Sequence, residues 1–381
     1  MQIALVGTRG VPARYGGFET CVEEVGRRLA ERGHDVVVYC RDRGPAEYLG
    51  MRRVEVAAVR QKALETLSST AVAVLHVLRR RPDVVVLFNA ANAPLLPALR
   101  AGRVPVATHV DGLEWRRAKW SGAGRRYYRG AEALAVRWSD ALIADAAGLQ
   151  QYYRDEFGVD SHQIAYGAPI LDAPGSDLLA GIGLTAGGYH LVVARFEPEN
   201  HVDLIVTGYR RSAARRSLVV VGAAPYADRY TGQVTAAAGD DDRVRLLGAM
   251  WDQRLLDQLY AHAFTYLHGH SVGGTNPSLL RAMGAGTATL AYDVVFNRDV
   301  LSETGAFFAT PDELATLVDQ AEAAPEQVAE RGRRCQDRAR RYNWDEVAKQ
   351  YEQLCERLAA GWSQRGSASG RRRRREADAA S

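Results

Sequence analysis

The feature that most constrains the fold of this chain is an alternation between short apolar runs and segments with helical spacing. Residues 3–6 and 84–88 contain no polar side chain. Between them, Phe18, Val22 and Leu29 recur on one face of a helix. A strand that is apolar on both faces must have both faces buried away from water. Helices that pack on each side of a parallel sheet bury them. The pattern therefore predicts parallel sheets enclosed by helices.

This alternation occurs twice along the chain, on either side of a segment at 166–187 that is rich in Gly, Pro and Asp. Mainly apolar runs lie at 3–6, 36–39, 54–59, 84–88, 104–108 and 141–144, and then at 189–194, 217–221, 244–247, 265–267 and 288–291. A chain of 381 residues is long enough for two such arrays. We therefore predict an α/β protein with two Rossmann-like, doubly wound domains that face each other across a cleft.

The chain has the features of a cytoplasmic protein. No stretch of 18 apolar residues occurs, and the N-terminal residues have the pattern of a buried strand, without a basic region or a cleavage site. The four cysteines lack CxxC spacing and are expected to be reduced.

A basic stretch at 101–138 combines eight Lys or Arg residues with three acidic ones. The interleaved aromatic residues are Trp115, Trp120, Tyr127, Tyr128 and Trp138. Two interpretations remain open: peripheral contact with the anionic inner face of the plasma membrane, or a solvated helix face whose aromatic side chains pack inward. Nucleic acid is not an expected partner, because no recognition motif accompanies the charge.

Ligands of doubly wound sheets bind beyond the carboxyl ends of the strands, and three loops at such positions are unusual. The first, 8–20, has Gly16 and Gly17 at a helix start, where bare backbone N–H groups can approach a phosphate or a sugar hydroxyl. The second, 193–200, places Arg195 just past a buried strand, which suits bidentate phosphate binding. The alternatives are a glycine turn without a ligand and an arginine that pairs with Glu197 or Glu199.

The third loop, 268–280, gives the strongest local signal, and the alternative to a ligand site is a purely structural role. Small residues lead from a strand into a helix for which Asn276 is the expected N-cap and Pro277 the first residue, so that free N–H groups could hold a diphosphate. His268 and His270 lack a nearby third ligand, so we expect hydrogen bonds from them and no metal. The acidic triplet at 240–242 is expected to be a solvated turn, again without metal.

These loops, in this order, resemble the retaining glycosyltransferases of family four, which have the GT-B fold, and in particular a bacterial branch that includes rhamnosyltransferases of cell-surface polysaccharide synthesis. The resemblance covers nearly the whole chain to about residue 360 and is carried by several motifs. They are Gly-Thr-Arg-Gly at 7–10, Arg-Tyr-Gly-Gly-Phe-Glu-Thr at 14–20, Asp-Gly-Leu-Glu-Trp at 111–115 with Lys119 and Trp120, Gly-Gly-Thr-Asn-Pro-Ser-Leu-Leu at 273–280 and Tyr-Asn-Trp at 342–344.

The resemblance implies domains at 1–172 (acceptor side) and 173–342 (donor side) and a helix at 343–361 that crosses back to the first domain, and beyond it a disordered basic tail is predicted at 362–381. The tail is predicted from composition alone, because 362–381 contains a run of five arginines at 371–375. The resemblance also implies a nucleoside diphosphate sugar as donor, a saccharide or lipid-linked acceptor, a transferred hexose or deoxyhexose such as rhamnose, and neither metal nor other cofactor. Asp111 would support the reacting sugar. The implied donor residues are Gly16, Gly17, Arg195, Asn200, His270, Ser271, Gly273, Gly274, Thr275, Asn276 and Arg281. The implied acceptor-side residues are Arg14, Glu19, Glu114 and Trp115.

The chain departs from the family pattern at three positions. Gly273 and Arg281 stand where the family has two glutamates, and Asn200 stands where it has a lysine. The second glutamate normally accepts hydrogen bonds from ribose, and arginine offers no acceptor. Three alternatives follow: the ribose is bound in another way, Arg281 contacts the diphosphate, or donor binding is impaired and the chain acts as a partner or binding subunit.

Overall fold

The computed structural model describes residues 1–13, 16–59, 65–110, 112–117, 120, 122–172, 174–223 and 228–365. The chain divides into two compact units: unit 1 consists of Met1–Tyr166 and the residues from Trp344 onward, and unit 2 consists of Gly167–Asn343.

The first boundary lies earlier than the predicted residue 172, and hydrogen bonds explain the difference. The N–H group of Ala168 donates to the carbonyl oxygen of Tyr342 at 2.6 Å, which ties the segment after 166 to unit 2.

Unit 1 is built on one eight-stranded sheet. Its strands are β1 (Gln2–Val6), β2 (Asp35–Cys40), β3 (Glu47–Tyr48), β4 (Met51–Glu55), β5 (Val84–Phe88), β6 (Val106–His109), β7 (Ala141–Ala144) and β8 (His162–Gln163). The connecting helices are α1 (Gly17–Glu31), α2 (Glu65–Arg80), α3 (Leu96–Ala101), α4 (Gly122–Trp138) and α5 (Ala147–Phe157). The strand order is β3-β4-β2-β1-β5-β6-β7-β8, and among these described strands only β3 pairs antiparallel.

Unit 2 has a second sheet, whose six strands are all parallel. They are β9 (Tyr189–Val193), β10 (Ser217–Val221), β11 (Val244–Gly248), β12 (Thr265–His268), β13 (Thr289–Tyr292) and β14 (Ala306–Phe308), in the order β11-β10-β9-β12-β13-β14. Its helices are α6 (Val202–Arg211), α7 (Asp228–Ala238), α8 (Gln253–Ala261), α9 (Pro277–Gly284), α10 (Val295–Leu301), α11 (Pro311–Ala323) and α12 (Pro325–Ala339). The predicted α/β class with two doubly wound sheets is confirmed.

Helices cover both faces of the unit 2 sheet, as the fully apolar strands require. Successive strand residues point to opposite faces, and Val192 and Leu191 accordingly belong to different apolar clusters. The cluster of Val192 includes side chains of α6, α7 and α11, whereas the cluster of Leu191 includes side chains of α8 and α9. Helices α8 and α9 therefore share one face of the sheet.

A final helix, α13 (Trp344–Ala359), packs in unit 1 although it follows unit 2 in the chain. Its Tyr351 hydroxyl lies 2.7 Å from His109 Nδ1 at the end of β6. Arg28 Nε of α1 lies 2.6 Å from Asp345 Oδ1. The expected return of the terminal helix to the first domain is confirmed.

Four residues predicted for the disordered tail are packed on unit 1. Arg365 Nη2 lies 2.5 Å from Asp140 Oδ1, and the guanidinium of Arg357 lies 3.8 Å from the centre of the Trp362 ring. These contacts hold 362–365, whereas the rest of the predicted tail, 366–381, lies outside the described residues.

The four cysteines are buried free thiols, in agreement with the prediction. In the described part of the chain, no helix is long and apolar enough to cross a membrane.

At the amino ends of the unit 2 strands, opposite the loops, a buried histidine contacts a carboxylate. His190 is fully buried, with Nε2 at 3.3 Å from Glu322 Oε1 of α11. The carboxylate of Glu322 also accepts the N–H groups of Arg215 and Arg216 at 2.8 and 2.9 Å. Burial alone raises the pKa of Glu322, but these hydrogen bonds outweigh it and lower the pKa to about 2.

Replacing this carboxylate should change how stability depends on pH. The pKa of Glu322 is lower in the folded protein than its ordinary value of 4.5. The carboxylate therefore contributes fully to the free energy of unfolding above about pH 5, and this contribution is lost as the pH falls towards 2. We expect Glu322→Gln to lower the free energy of unfolding by about 1–3 kcal/mol at neutral pH, with a difference from wild type that shrinks in acid. Urea unfolding across this pH range measures it. The exposed Glu330→Gln is the control, and equal pH profiles for the two variants would contradict the assignment.

Candidate functional site

The residues predicted for the donor side follow two neighbouring strands of unit 2. Strand β9 lies between β10 and β12. After β9, the chain adds β10 and β11 on one side of it and then β12 on the other side. At this switch point the loops after β9 and β12 leave from adjacent carboxyl ends, which is where doubly wound sheets bind ligands. The structure thereby brings the loop 194–201, with Arg195 and Asn200, beside the loop 269–276.

Asn200 joins these two loops. Its Nδ2 donates to the carbonyl oxygen of Arg195 at 2.7 Å, and its Oδ1 lies 2.7 Å from His270 Nδ1. Because an amide oxygen only accepts, Nδ1 of His270 carries the proton. Asn200 is only 6% exposed. The structure therefore gives Asn200 and His270 a bracing role at the predicted site.

Ser271 adds a second connection between the loops. Its backbone N–H and its hydroxyl both donate to the carbonyl oxygen of Glu199, at 2.9 and 3.1 Å. The approach is so close that a Cβ atom at Gly269 would lie 2.1 Å from the carbonyl oxygen of Asn200. Only glycine fits at position 269.

Gly273 also occupies a position that a larger residue would strain. Its φ is +141°, and a Cβ atom there would lie 3.0 Å from His270 Nε2. This geometry gives a physical reason for glycine where the resemblance leads one to expect glutamate.

Helix α9 begins at this loop as the sequence predicts. Asn276 is the N-cap, and its Oδ1 accepts the backbone N–H of Ser278 at 3.0 Å. Pro277 is the first helical residue. Gly274 and Thr275 precede the cap, and the positive end of the helix dipole lies at this point.

Arg195 lies at the carboxyl end of β9 with 42% of its side chain exposed. Its Nη2 lies 3.5 Å from Glu197 Oε2, which is the ion pair that the alternative interpretation anticipates. A single long contact leaves the other guanidinium N–H groups without protein partners in the described part of the chain, so the side chain can accept an anionic ligand.

Arg281 has a different environment from the other predicted donor residues. It lies on α9 and turns toward α8, where its Nη2 lies 2.6 Å from Asp257 Oδ1. Its Nη1 donates to Gln253 Oε1 at 2.8 Å. The structure does not show this guanidinium directed at the loops.

Among the histidines and the acidic triplet, His268 and Asp241 are both in contact with protein groups. Burial lowers the pKa of His268 to about 3, and its Nδ1 lies 3.4 Å from the Tyr266 hydroxyl. Asp241 accepts hydrogen bonds from Arg243, which lower the pKa of its carboxyl group. Within the described residues, no group of three or more His, Cys, Asp or Glu side chains could hold a metal ion.

The first loop of unit 1 is held by carboxylates of α1. Gly16 is the N-cap of α1, and Gly17 is its first residue. Glu19 Oε1 accepts the N–H of Arg9 at 3.0 Å, and Glu23 Oε2 accepts the N–H of Ala13 at 2.6 Å. Glu19 thus braces the loop. Arg14, predicted on the acceptor side, lies outside the described residues.

Sequence reasoning did not identify Glu23 or the buried Arg53, whose Nε donates to the carbonyl oxygen of Val11 at 3.0 Å. Arg53 Nη1 also donates to the carbonyl oxygen of Pro45 at 2.8 Å. The separation of these residues along the chain gives no sequence signal for such contacts.

The predicted acceptor loop after β6 is described in part, because Asp111 and Lys119 lie outside the described residues. Glu114 is buried, with Oε2 at 2.5 Å from Arg117 Nε and Oε1 accepting the Trp120 indole N–H at 3.2 Å. Two guanidinium groups lie near the Trp115 ring, those of Arg116 at 5.1 Å and Arg129 at 4.9 Å from its centre.

Helix α4 carries four exposed arginines and two tyrosines that make contacts within unit 1. The arginines at 125, 126, 129 and 137 are exposed. Tyr128 packs against Trp120 with ring centres 4.8 Å apart, and the Tyr127 hydroxyl donates to the carbonyl oxygen of Ala91 at 2.7 Å. These contacts anchor Tyr127 and Tyr128, although Tyr127 is 40% exposed, and the helix presents a cationic surface.

Removing the Asn200 amide should loosen the paired loops. We expect Asn200→Ala to lower the free energy of unfolding by about 1–3 kcal/mol, because the variant leaves buried groups without partners. Denaturant unfolding measures the change. Asn276→Ser keeps a capping oxygen and should stay within about 0.5 kcal/mol of wild type. Equal losses in the two variants would contradict the bracing role.

Comparison with known proteins agrees with this architecture. The family model described as Glycosyltransferase Family 4 matches residues 15–166, and the model described as Glycosyl transferases group 1 matches residues 187–342. Together they cover most of both units. No curated protein matches the chain.

Solved structures give the same fold at low sequence identity. Sucrose-phosphate synthase from Thermosynechococcus elongatus is 19% identical, with a TM-score of 0.79 over 94% of this chain and 99% of that one. HepE from Anabaena in complex with UDP-glucose is 17% identical, with a TM-score of 0.78 over 93% and 99%. An alpha,alpha-trehalose 6-phosphate synthase from Burkholderia multivorans is 12% identical, with a TM-score of 0.71 over 95% and 99%. The chain is thus a glycosyltransferase of the GT-B fold, composed of a Family 4 domain followed by a group 1 domain.

Proposed function

We propose that this enzyme transfers a hexose or deoxyhexose from a nucleoside diphosphate sugar to a saccharide or lipid-linked acceptor, with retention at the anomeric carbon and without a metal. The paired loops of unit 2 bind the donor, and the loops of unit 1 bind the acceptor. The observation that carries the proposal is the pairing of the loops after β9 and β12, with the exposed Arg195 on one and the start of α9 on the other.

The chemistry follows from the charge that develops on the leaving diphosphate. Arg195 offers paired N–H donors, and the backbone N–H groups of 273–276 lie at the positive end of α9. Donors fixed in advance stabilise a developing negative charge most effectively, since they need no reorganisation during reaction. In the proposed retaining step, the bond from the anomeric carbon to the phosphate oxygen breaks, and the acceptor oxygen attacks from the same face. The leaving phosphate takes the acceptor proton.

The bracing contacts explain how the donors stay in place. Asn200 and Ser271 connect the two loops through three hydrogen bonds, one to His270 and two to the carbonyl oxygen of Glu199, and both Asn200 and Glu199 are buried. We propose that these residues and His270 position the loop backbone, while the contacts to the phosphates come from Arg195 and the N–H groups.

On unit 1, we propose that Gly16 and Gly17 approach the sugar and that Glu114 and Trp115 line the acceptor side. Asp111 and Arg14 keep the supporting and acceptor roles that the resemblance implies. The exposed arginines of α4 suit contact with an anionic bilayer, where a lipid-linked acceptor would reside.

The donor base and sugar are proposed by class. HepE, of the same fold, was solved with UDP-glucose, which supports a nucleoside diphosphate hexose. The rhamnosyltransferase-like branch favours a deoxyhexose such as rhamnose. A second candidate function, a partner or binding subunit with impaired catalysis, is favoured only by Arg281 at a position where the family has glutamate.

A turnover assay distinguishes an active glycosyltransferase from a partner or binding subunit with impaired catalysis. Purified protein is incubated with UDP-glucose, UDP-galactose or dTDP-rhamnose and a membrane-extracted acceptor, and the release of nucleoside diphosphate and the anomeric configuration of the product are measured. We expect release with at least one donor and a retained configuration. Donor binding without release in the presence of acceptor would favour the partner subunit.

Removing the guanidinium of Arg195 tests the donor site. We expect Arg195→Ala to weaken binding of UDP or dTDP, whichever binds wild type more tightly, by tenfold or more, which is about 1.4 kcal/mol. Calorimetry measures the affinity. Arg211→Ala is the matched control, because Arg211 is also half exposed and paired with one carboxylate, that of Asp312. Unchanged affinity in Arg195→Ala would remove this arginine from the site.

Neutralising two arginines of α4 tests membrane contact. We expect Arg125→Gln with Arg126→Gln to weaken binding to vesicles containing about 30% phosphatidylglycerol by roughly 30-fold, at about 1 kcal/mol for each cation. Vesicle sedimentation measures the binding. The matched control is Arg333→Gln with Arg334→Gln, two exposed arginines of α12 in unit 2. Similar losses in both double variants would contradict a specific role of α4.

A further inference from the structure

A cluster of three polar side chains lies beside the proposed donor loops and has no role in the preceding proposal. Gln253 and Asp257 lie on α8, and Arg281 lies on α9. Both helices pack on the same face of the unit 2 sheet, and both begin after strands whose carboxyl ends lie at the loop edge. The cluster is accessible, because Arg281 and Asp257 are 21% and 30% exposed.

The hydrogen bonds of Arg281 commit its guanidinium to α8. Nε and Nη2 both donate to Asp257 Oδ1, at 2.9 and 2.6 Å. Nη1 donates to Gln253 Oε1 at 2.8 Å, and Nη2 also lies 3.3 Å from the Gln253 carbonyl oxygen. A phosphate that bound this guanidinium would have to displace charge-assisted bonds of this kind. The geometry therefore disfavours direct contact of Arg281 with the diphosphate.

The same contacts leave an acceptor on Asp257. Both strong bonds from Arg281 go to Oδ1, and Oδ2 has no hydrogen-bond partner within the part of the chain that the structure describes. A carboxylate only accepts hydrogen bonds. The neighbouring guanidinium disfavours a cationic ligand, and the carboxylate itself disfavours an anionic one. A neutral group with hydroxyl donors fits the cluster best.

The distance along α9 relates this acceptor to the proposed phosphate position. Arg281 follows the N-cap Asn276 by five residues, which is about 7.5 Å along a helix axis. In a nucleoside diphosphate, the neutral group that lies at about this distance from the phosphates is the pentose. Its hydroxyl groups are hydrogen-bond donors.

We propose that Asp257 accepts a hydrogen bond from a pentose hydroxyl of the donor and that Arg281 is the positioning residue that holds its carboxylate. This inference rests on the proposed function. It corresponds to the first of the three alternatives raised by the sequence, in which the ribose is bound in another way: the carboxylate comes from α8, and the arginine on α9 fixes it.

The test compares ligands that differ only in the pentose or lack it. Wild type, Asp257→Asn and Arg281→Gln are titrated by calorimetry with UDP and dTDP, with the 2′,3′-dideoxy form of each, and with pyrophosphate. Asp312→Asn is the matched control, since Asp312 is also paired with one arginine, Arg211. Pyrophosphate reports whether the paired loops remain intact in each variant.

We expect Asp257→Asn to bind the preferred nucleotide at least tenfold more weakly than wild type and pyrophosphate within twofold of it. The dideoxy nucleotide should bind wild type and Asp257→Asn equally, because it lacks the hydroxyls. Arg281→Gln should lose less affinity for the nucleotide than Asp257→Asn and none for pyrophosphate, because the carboxylate remains but is no longer held. Asp312→Asn should match wild type with every ligand.

Two results would overturn the inference alone. In the first, wild type and Asp257→Asn bind the nucleotide equally. In the second, Asp257→Asn loses pyrophosphate and nucleotide affinity by the same factor, which would give Asp257 a role in folding of the loops. Failure of wild type to bind both nucleotides and pyrophosphate would instead refute the proposed function, and the inference with it.

Discussion

The candidate donor site depends on the close approach of two backbone segments, the loops that follow β9 and β12. The Asn200 carbonyl oxygen occupies the space that a side chain at Gly269 would need, so this approach requires the absence of a Cβ atom. Once the loops are this close, Asn200 can bridge Arg195 and His270, and Ser271 can bond to Glu199. The N–H groups before α9 and the guanidinium of Arg195 then lie on loops fixed to each other. The proposed electrostatic stabilisation of a diphosphate depends on this packing, because donors on independent loops would have to be ordered at every turnover.

In unit 1, side chains also hold a loop by hydrogen bonds to its backbone, but the residues differ from those of unit 2. The glycine-rich loop after β1 has backbone N–H groups that would be costly to leave unpaired beside a buried sheet. Glu19 and Glu23, one helical turn apart on α1, accept two of them, and Arg53 bonds to the carbonyl oxygen of Val11. In both units, charged or amide side chains therefore stabilise loop backbone. This explains why residues expected to contact ligand, such as Glu19 and Asn200, are observed in contact with the protein.

Much of the architecture could be predicted because it depends on local patterns. Apolar runs predicted eleven of the fourteen strands described, and the short β3, β8 and β14 were missed. The sequence around Asn276 and Pro277 predicted the start of α9, since capping involves residues adjacent in the chain. The contacts of Arg281 could not be predicted, because Asp257 and Gln253 are near it only after α8 and α9 pack on one face. The bracing contacts of Asn200 could not be predicted either, because they join two loops that are separated by about 70 residues in sequence. The proposed roles of Asp111 and Arg14 rest on the resemblance, as these residues lie outside the described part of the chain.

The position of α13 has a consequence for how the protein is made. Unit 2 is continuous in sequence, whereas unit 1 consists of two segments, with unit 2 inserted between them. During translation, the segment 167–343 can acquire all of its own contacts as soon as it leaves the ribosome. The first 166 residues cannot, because the partner of His109 is Tyr351, near the end of the chain. Unit 1 is therefore completed after unit 2, and a chain whose synthesis stops before α13 lacks the contacts of this helix with His109 and Arg28.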